Sequence, residues 1–150
     1  DVKLNGQSVS EAGLNAAIAG HFNVPVIMVS GDDVVVKETK ALLPDIEGAT
    51  VKWALGFHSA MTVTPEYSSV LIRDTARKAV QRIKDFKPYK LTTPIKLDVT
   101  FKNYRPSEVL SYLSIVERPD AHSIRFVGKD IVEVSKFLRF INNYELSLEP

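Results

Sequence analysis

The run Pro25-Val26-Ile27-Met28-Val29 narrows the possible folds more than any other segment. It is continuously apolar, with no alternation, and far shorter than the roughly 20 residues of a membrane span. Such a run reads as a strand buried on both faces, which requires covering layers above and below. Helical patterns flank it. Upstream, Leu14, Ile18 and Phe22 form a stripe supported by several alanines. Downstream, Gly31-Asp32-Asp33 offers Asp32 as an N-cap for a helix ending near Leu43-Pro44. The class implied is α/β, a mixed sheet with helices packed on it.

The other elements follow from local chemistry. Val2–Leu4 is a short strand, and Asn5-Gly6 is a tight hairpin turn. Ser8-x-x-Glu11 has capping-box spacing and predicts a helix to about Phe22. Val51, Trp53 and Leu55 alternate as in a strand, and Ala60–Val63 is another after the Gly56 break. Thr64-Pro65-Glu66 combines an N-cap, proline at N1 and an acid facing the helix dipole. Ile72, Ala76, Ala79, Ile83 and Phe86 continue that helix as a buried stripe. Lys87–Pro94 reads as a linker, which divides the chain into an α/β segment over 1–88 and a smaller α+β segment over 95–150. In the latter, Ile95, Leu97, Val99 and Phe101 alternate with polar residues, predicting a strand with one wet face. A helix after Pro106, a strand through Ile124 and Phe126, and a helix from Asp130 burying Ile131, Val134, Leu138 and Ile141 complete the pattern.

Composition removes several classes of function. The 150 residues contain no cysteine, so disulfides, thiolate nucleophiles and cysteine-ligated zinc are excluded. The absence fits the cytoplasm. Net charge is +1, so no global field steers the chain to nucleic acid or lipid, and no apolar run reaches membrane length. The first residue is Asp1 rather than Met, so an upstream segment is expected. Basic residues concentrate locally: residues 73–105 hold ten Lys or Arg against three acids, with Phe86 and Tyr89 among them. Basic residues with interleaved aromatics can bind nucleic acid. A solvated helix face or a surface toward a partner chain is the simpler reading.

Glu11 is the candidate with the most chemistry. As part of a capping box it would only accept a backbone N–H. On the stripe of Ile18 and Phe22, with Asn15 one turn on, it would point inward. A buried carboxylate needs hydrogen bonds or a cation, and a divalent metal steadied by the Asn15 amide would meet that need. Asp32 and Asp33 are read as turn and cap. No glycine-rich phosphate motif is present, and acids at that helix start would repel phosphate. His21, His58 and His122 form no zinc-protease motif. His58, in the loop expected at Gly56-Phe57-His58-Ser59, is the one histidine kept as a substrate-side candidate. Ser59 lacks a base-and-acid arrangement.

Ser10-Glu11-Ala12-Gly13-Leu14-Asn15-Ala16-Ala17, then Asn23-Val24-Pro25-Val26, then Gly31-Asp32-Asp33, resemble the signature of the zinc-dependent D-aminopeptidases of the dipeptide-transport type. Val51-Lys52, Ala60 and Thr64-Pro65-Glu66 fall where that family has its later elements, and the likeness loosens after residue 95. Ser10 stands where the family has glycine.

The resemblance implies a two-zinc aminopeptidase that uses an activated water to cleave short peptides bearing an N-terminal D-amino acid. It makes Glu11 a zinc ligand. It places the other ligands and the proposed catalytic histidine in an N-terminal half outside this chain, so no catalytic residue is expected within it. It further implies the C-terminal part of two intertwined α/β halves and a ring-like homo-oligomer. The competing readings are a non-catalytic binding or assembly module of the same fold and, least favoured, a nucleic-acid-binding domain using residues 73–105.

Overall fold

The computed structural model describes residues 1–143, and the end of the expected 95–150 segment, 144–150, lies outside the described residues. Two compact units emerge. One joins Asp1–Leu14 to the chain from Lys90 onward, and the other is Asn15–Tyr89. The linker expected at 87–94 therefore coincides with a unit boundary. The first fourteen residues, grouped with 1–88 on sequence grounds, fold instead with the later segment because their strand pairs there.

In the first unit, β1 (Val2–Leu4), β2 (Gln7–Ser8), β6 (Ile95–Thr100), β7 (Val116–Glu117) and β8 (Ser123–Gly128) form one antiparallel sheet in the order β2-β1-β6-β8-β7. The β1–β2 turn uses Asn5 and Gly6 at φ of 50° and 86°. Positive φ at both central residues is the tight hairpin turn expected of Asn-Gly. Alternation in β6 sends Ile95, Leu97 and Val99 to one face. There they meet Leu4, Ile124 and Phe126, together with Ile131, Val134, Phe137, Leu138 and Ile141 of α5 (Ile131–Asn143). Each fully buried aliphatic side chain contributes roughly 1.5–3 kcal/mol of gross transfer free energy. The helix α4 (Tyr104–Leu110) packs on β8. It begins two residues before Pro106, capped by Asn103, whose side chain accepts the Arg105 N–H. Proline is tolerated there because a first-turn N–H has no intrahelical partner.

The opposite sheet face carries a row of alternating charge. Register places Lys3 beside Asp98, Asp98 beside Arg125, and Arg125 beside Glu117. Arg125 Nε donates to Asp98 Oδ1 at 2.7 Å, partly shielded from water. Opposite charges facing each other across strands add roughly 0.2–1 kcal/mol per pair. Asp98→Ala should lower the urea unfolding free energy by about 1 kcal/mol, because it leaves Arg125 between unlike neighbours on one side only. An unchanged midpoint would show that the row adds nothing.

In the second unit, β3 (Met28–Asp32) pairs in parallel with β4 (Glu47–Gly56), and β4 pairs antiparallel with β5 (Ser59–Thr62). The helices α2 (Asp33–Leu42) and α3 (Pro65–Gln81) pack on β3 and β4. Ile46, Ala79 and Phe86 centre the core, with Ile27, Met28, Val29 and Leu43 against them. The apolar run at 25–29 is half-buried throughout rather than sealed on both faces. Its strand starts only at Met28 and has one strand neighbour, β4, among the described residues. In α3, Thr64 caps and Pro65 opens as expected. The helix stops at Gln81, and a 3-10 turn at Ile83–Asp85 swings Ile83 into solvent while Thr75 takes a buried place.

Candidate metal centre

The helix α1 (Glu11–His21) presents the candidate ligand at its first residue. Ser10 supplies the first carbonyl, accepting from the Leu14 N–H at 3.1 Å. Ser8 lies back in β2, and its hydroxyl donates to Asp1 Oδ2 at 3.3 Å, so the capping box expected from Ser8-x-x-Glu11 does not form. The inward stripe of Leu14, Ile18 and Phe22 is also corrected. The buried residues are Gly13, Ala16, Ala17 and Gly20, while Phe22 is 63% exposed. Spacings of three, one and three place these four on one helix face. Small side chains win that face because backbone comes very close: a Cβ on Gly20 would lie 1.8 Å from the Tyr89 carbonyl oxygen.

Burial of the small-residue face leaves Glu11 and Asn15 exposed, one turn apart. This reverses the inward orientation read from the sequence. None of the hydrogen bonds and ion pairs among the described residues uses the Glu11 carboxylate. It sits in the first turn of α1. An ionised carboxylate with open lone pairs is a competent zinc donor. A tetrahedral zinc site takes four donors, and the described residues contain no group of three or more His, Cys, Asp or Glu that could hold a metal. The Glu11 carboxylate could thus serve zinc as one donor, and the described residues do not hold a complete site.

Asp32, His21 and His122 have ordinary structural places. Asp32 caps α2, with Oδ1 accepting the Val35 N–H at 2.8 Å, which matches the turn-and-cap reading. His21 ends α1 with its ring edge-on to Phe22 at 4.9 Å. His58 lies at the exposed β4–β5 turn, edge-on to Phe57 at 4.6 Å. The His122 N–H donates to Asp120 Oδ1 at 2.8 Å, and this bond leads the causes that hold the Asp120 carboxyl below its usual range.

The basic segment is partly neutralised. Arg77 pairs with Asp74, and Arg82 Nη1 reaches Glu47 at 2.5 Å while its Nε meets Asp85 at 3.3 Å. Arg82 also lies over the Phe86 ring, 5.2 Å from its centre. The Arg77 pair stays within α3, whereas Arg82 ties the end of that helix and its 3-10 turn to β4. Sequence inspection missed both the small-residue face of α1 and the Arg82–Glu47 bridge. The positions 13, 16, 17 and 20 carried the first signal, whereas a bridge 35 residues apart leaves no local mark.

The fold is α/β, with helices packed on two sheets, and exposed acids stand in the first turns of α1, α2 and α3 (Glu11, Asp33 and Glu66), of which the family resemblance singles out Glu11. Across residues 1–140 the sequence matches the D-aminopeptidase family, and the chain belongs to that family. A D-aminopeptidase of Bacillus subtilis (strain 168) is 32% identical over 133 residues, covering 87% of this chain and 48% of the relative. The solved structure of the Zn-dependent D-aminopeptidase DppA from Bacillus subtilis, a self-compartmentalizing protease, superposes with a TM-score of 0.90 at 28% identity. That match covers 94% of this chain and 52% of the DppA chain. The chain therefore spans about half the length of the relatives it matches.

Proposed function

We propose that the full-length protein is a zinc-dependent aminopeptidase that releases N-terminal D-amino acids from short peptides, with Glu11 as the zinc ligand contributed by this chain. The observation that carries the reading is Glu11 itself: exposed, unengaged and fixed at the head of α1, within a segment that resembles the family signature. Family membership over 1–140 and the likeness to a Zn-dependent relative support it. Zinc, when bound, supplies Lewis-acid polarisation of the scissile carbonyl and activation of a water.

The residues of this chain have more limited tasks. Glu11 would hold metal through its carboxylate. Asn15, one turn further along the exposed side of α1, is the candidate for orienting that carboxylate. His58 is the substrate-side candidate. We assign the protein to a homo-oligomer, by analogy with the self-compartmentalizing relative, and separately to the cytoplasm, which the cysteine-free composition fits.

The test uses the natural full-length protein. Dipeptides with an N-terminal D-residue should be hydrolysed in preference to their L counterparts. Activity should vanish after dialysis against a chelator and return on addition of zinc. Turnover indifferent to the chelator, or equal on both enantiomers, would overturn the assignment.

A further inference from the structure

The β4–β5 hairpin is built unlike the rest of the surface. Every residue from Ala54 to Thr62 is exposed, although the two strands are hydrogen-bonded partners. Consecutive strand residues point to opposite sides, so both faces of this hairpin are bare. Three of the exposed side chains are large and apolar: Phe57 is 97% exposed, Leu55 71% and Met61 53%. From Trp53 to Val63 there is no Asp, Glu, Lys or Arg, in a chain that is 25% charged. The outer edge of β5 has no strand neighbour among the described residues and carries none of the charges that usually guard an open edge. A two-stranded hairpin is marginal in water by itself, and an exposed apolar patch of this kind marks an interface.

We infer that the tip of this hairpin, Leu55, Phe57 and Met61, is the arm by which one copy of the protein grips a second copy. The inference deepens the self-association proposed above and rests on it. An arm bare on both faces suits insertion into a neighbouring subunit, where both sides become covered. Homo-oligomeric contacts are the apolar class of interface, with charge depleted at their centres. A relative that matches this chain along 94% of its length is self-compartmentalizing, which requires copies to meet.

The test places the photoreactive analogue p-benzoylphenylalanine at position 57 of the full-length protein, and measures the mass of wild type and of Leu55→Asp/Phe57→Asp by sedimentation. Irradiation should give a product of twice the chain mass. The double substitution should shift the protein from a multimer toward the monomer. An adduct confined within one chain would show that another part of the same polypeptide covers the hairpin, and would overturn the inference. So would a monomeric wild type, or a doubly charged variant that keeps its assembled mass. Assembly without D-peptidase activity would remove the catalytic reading and leave the interface standing. D-peptidase activity in a monomer would remove the interface alone.

Discussion

Glu11→Ala in the full-length protein is expected to reduce hydrolysis of D-amino-terminal dipeptides by more than about 100-fold. Loss of even the groups that orient a metal ligand typically costs 10–100-fold in affinity or activity. Loss of the ligand itself should exceed that. Stability should change little, because the carboxylate is exposed and engages no neighbour among the described residues. Its one structural contribution is its place in the first turn, worth roughly 0.3–1 kcal/mol through the helix dipole. Bound zinc measured by elemental analysis should fall with activity. Glu11→Gln separates the two effects: it keeps the side-chain length, weakens zinc binding and should fail almost as completely. Wild-type turnover in either variant would remove the metal role. A large loss of stability with zinc retained would restore a capping role.

Gly20→Ala is the second large effect, and its sign is informative. In an ordinary helix interior the change favours folding by up to about 1 kcal/mol. Here the added Cβ would lie 1.8 Å from the Tyr89 carbonyl oxygen and 2.6 Å from its carbon. Both atoms are backbone, so the clash is relieved only by moving α1 or the 86–90 segment. Overpacking of this kind costs about 1–3 kcal/mol, and a contact this short places the expectation at the upper end or beyond. Chemical denaturation should show that loss. Peptidase activity should fall as well, because the helix carries Glu11 at its start. A variant as stable as wild type would mean that the close approach is not maintained in solution.

The parts of the fold that were legible in the sequence are those decided by short-range physics. Thr64-Pro65 set the start of α3, Asp32 capped α2, Asn5-Gly6 turned β1 into β2, and strict alternation fixed which face of β6 is buried. Readings failed where a distant partner decides. The pairing of β1 with β6 joins residues nearly a hundred positions apart, so residues 1–14 belong with the later segment. On α1, the larger side chains Leu14, Ile18 and Phe22 suggested the inward face, but the approach of Tyr89 selected glycine and alanine instead. That choice turned Glu11 outward. Its chemistry as a candidate ligand came from the resemblance, since an acid in the first turn of a helix is common in itself.

The most direct measurement is a zinc-edge anomalous diffraction map of the full-length protein. The account expects a zinc peak about 2.0–2.2 Å from a Glu11 carboxylate oxygen, the usual range for a carboxylate ligand. Zinc bound elsewhere, with the Glu11 side chain well beyond coordination distance, would contradict it.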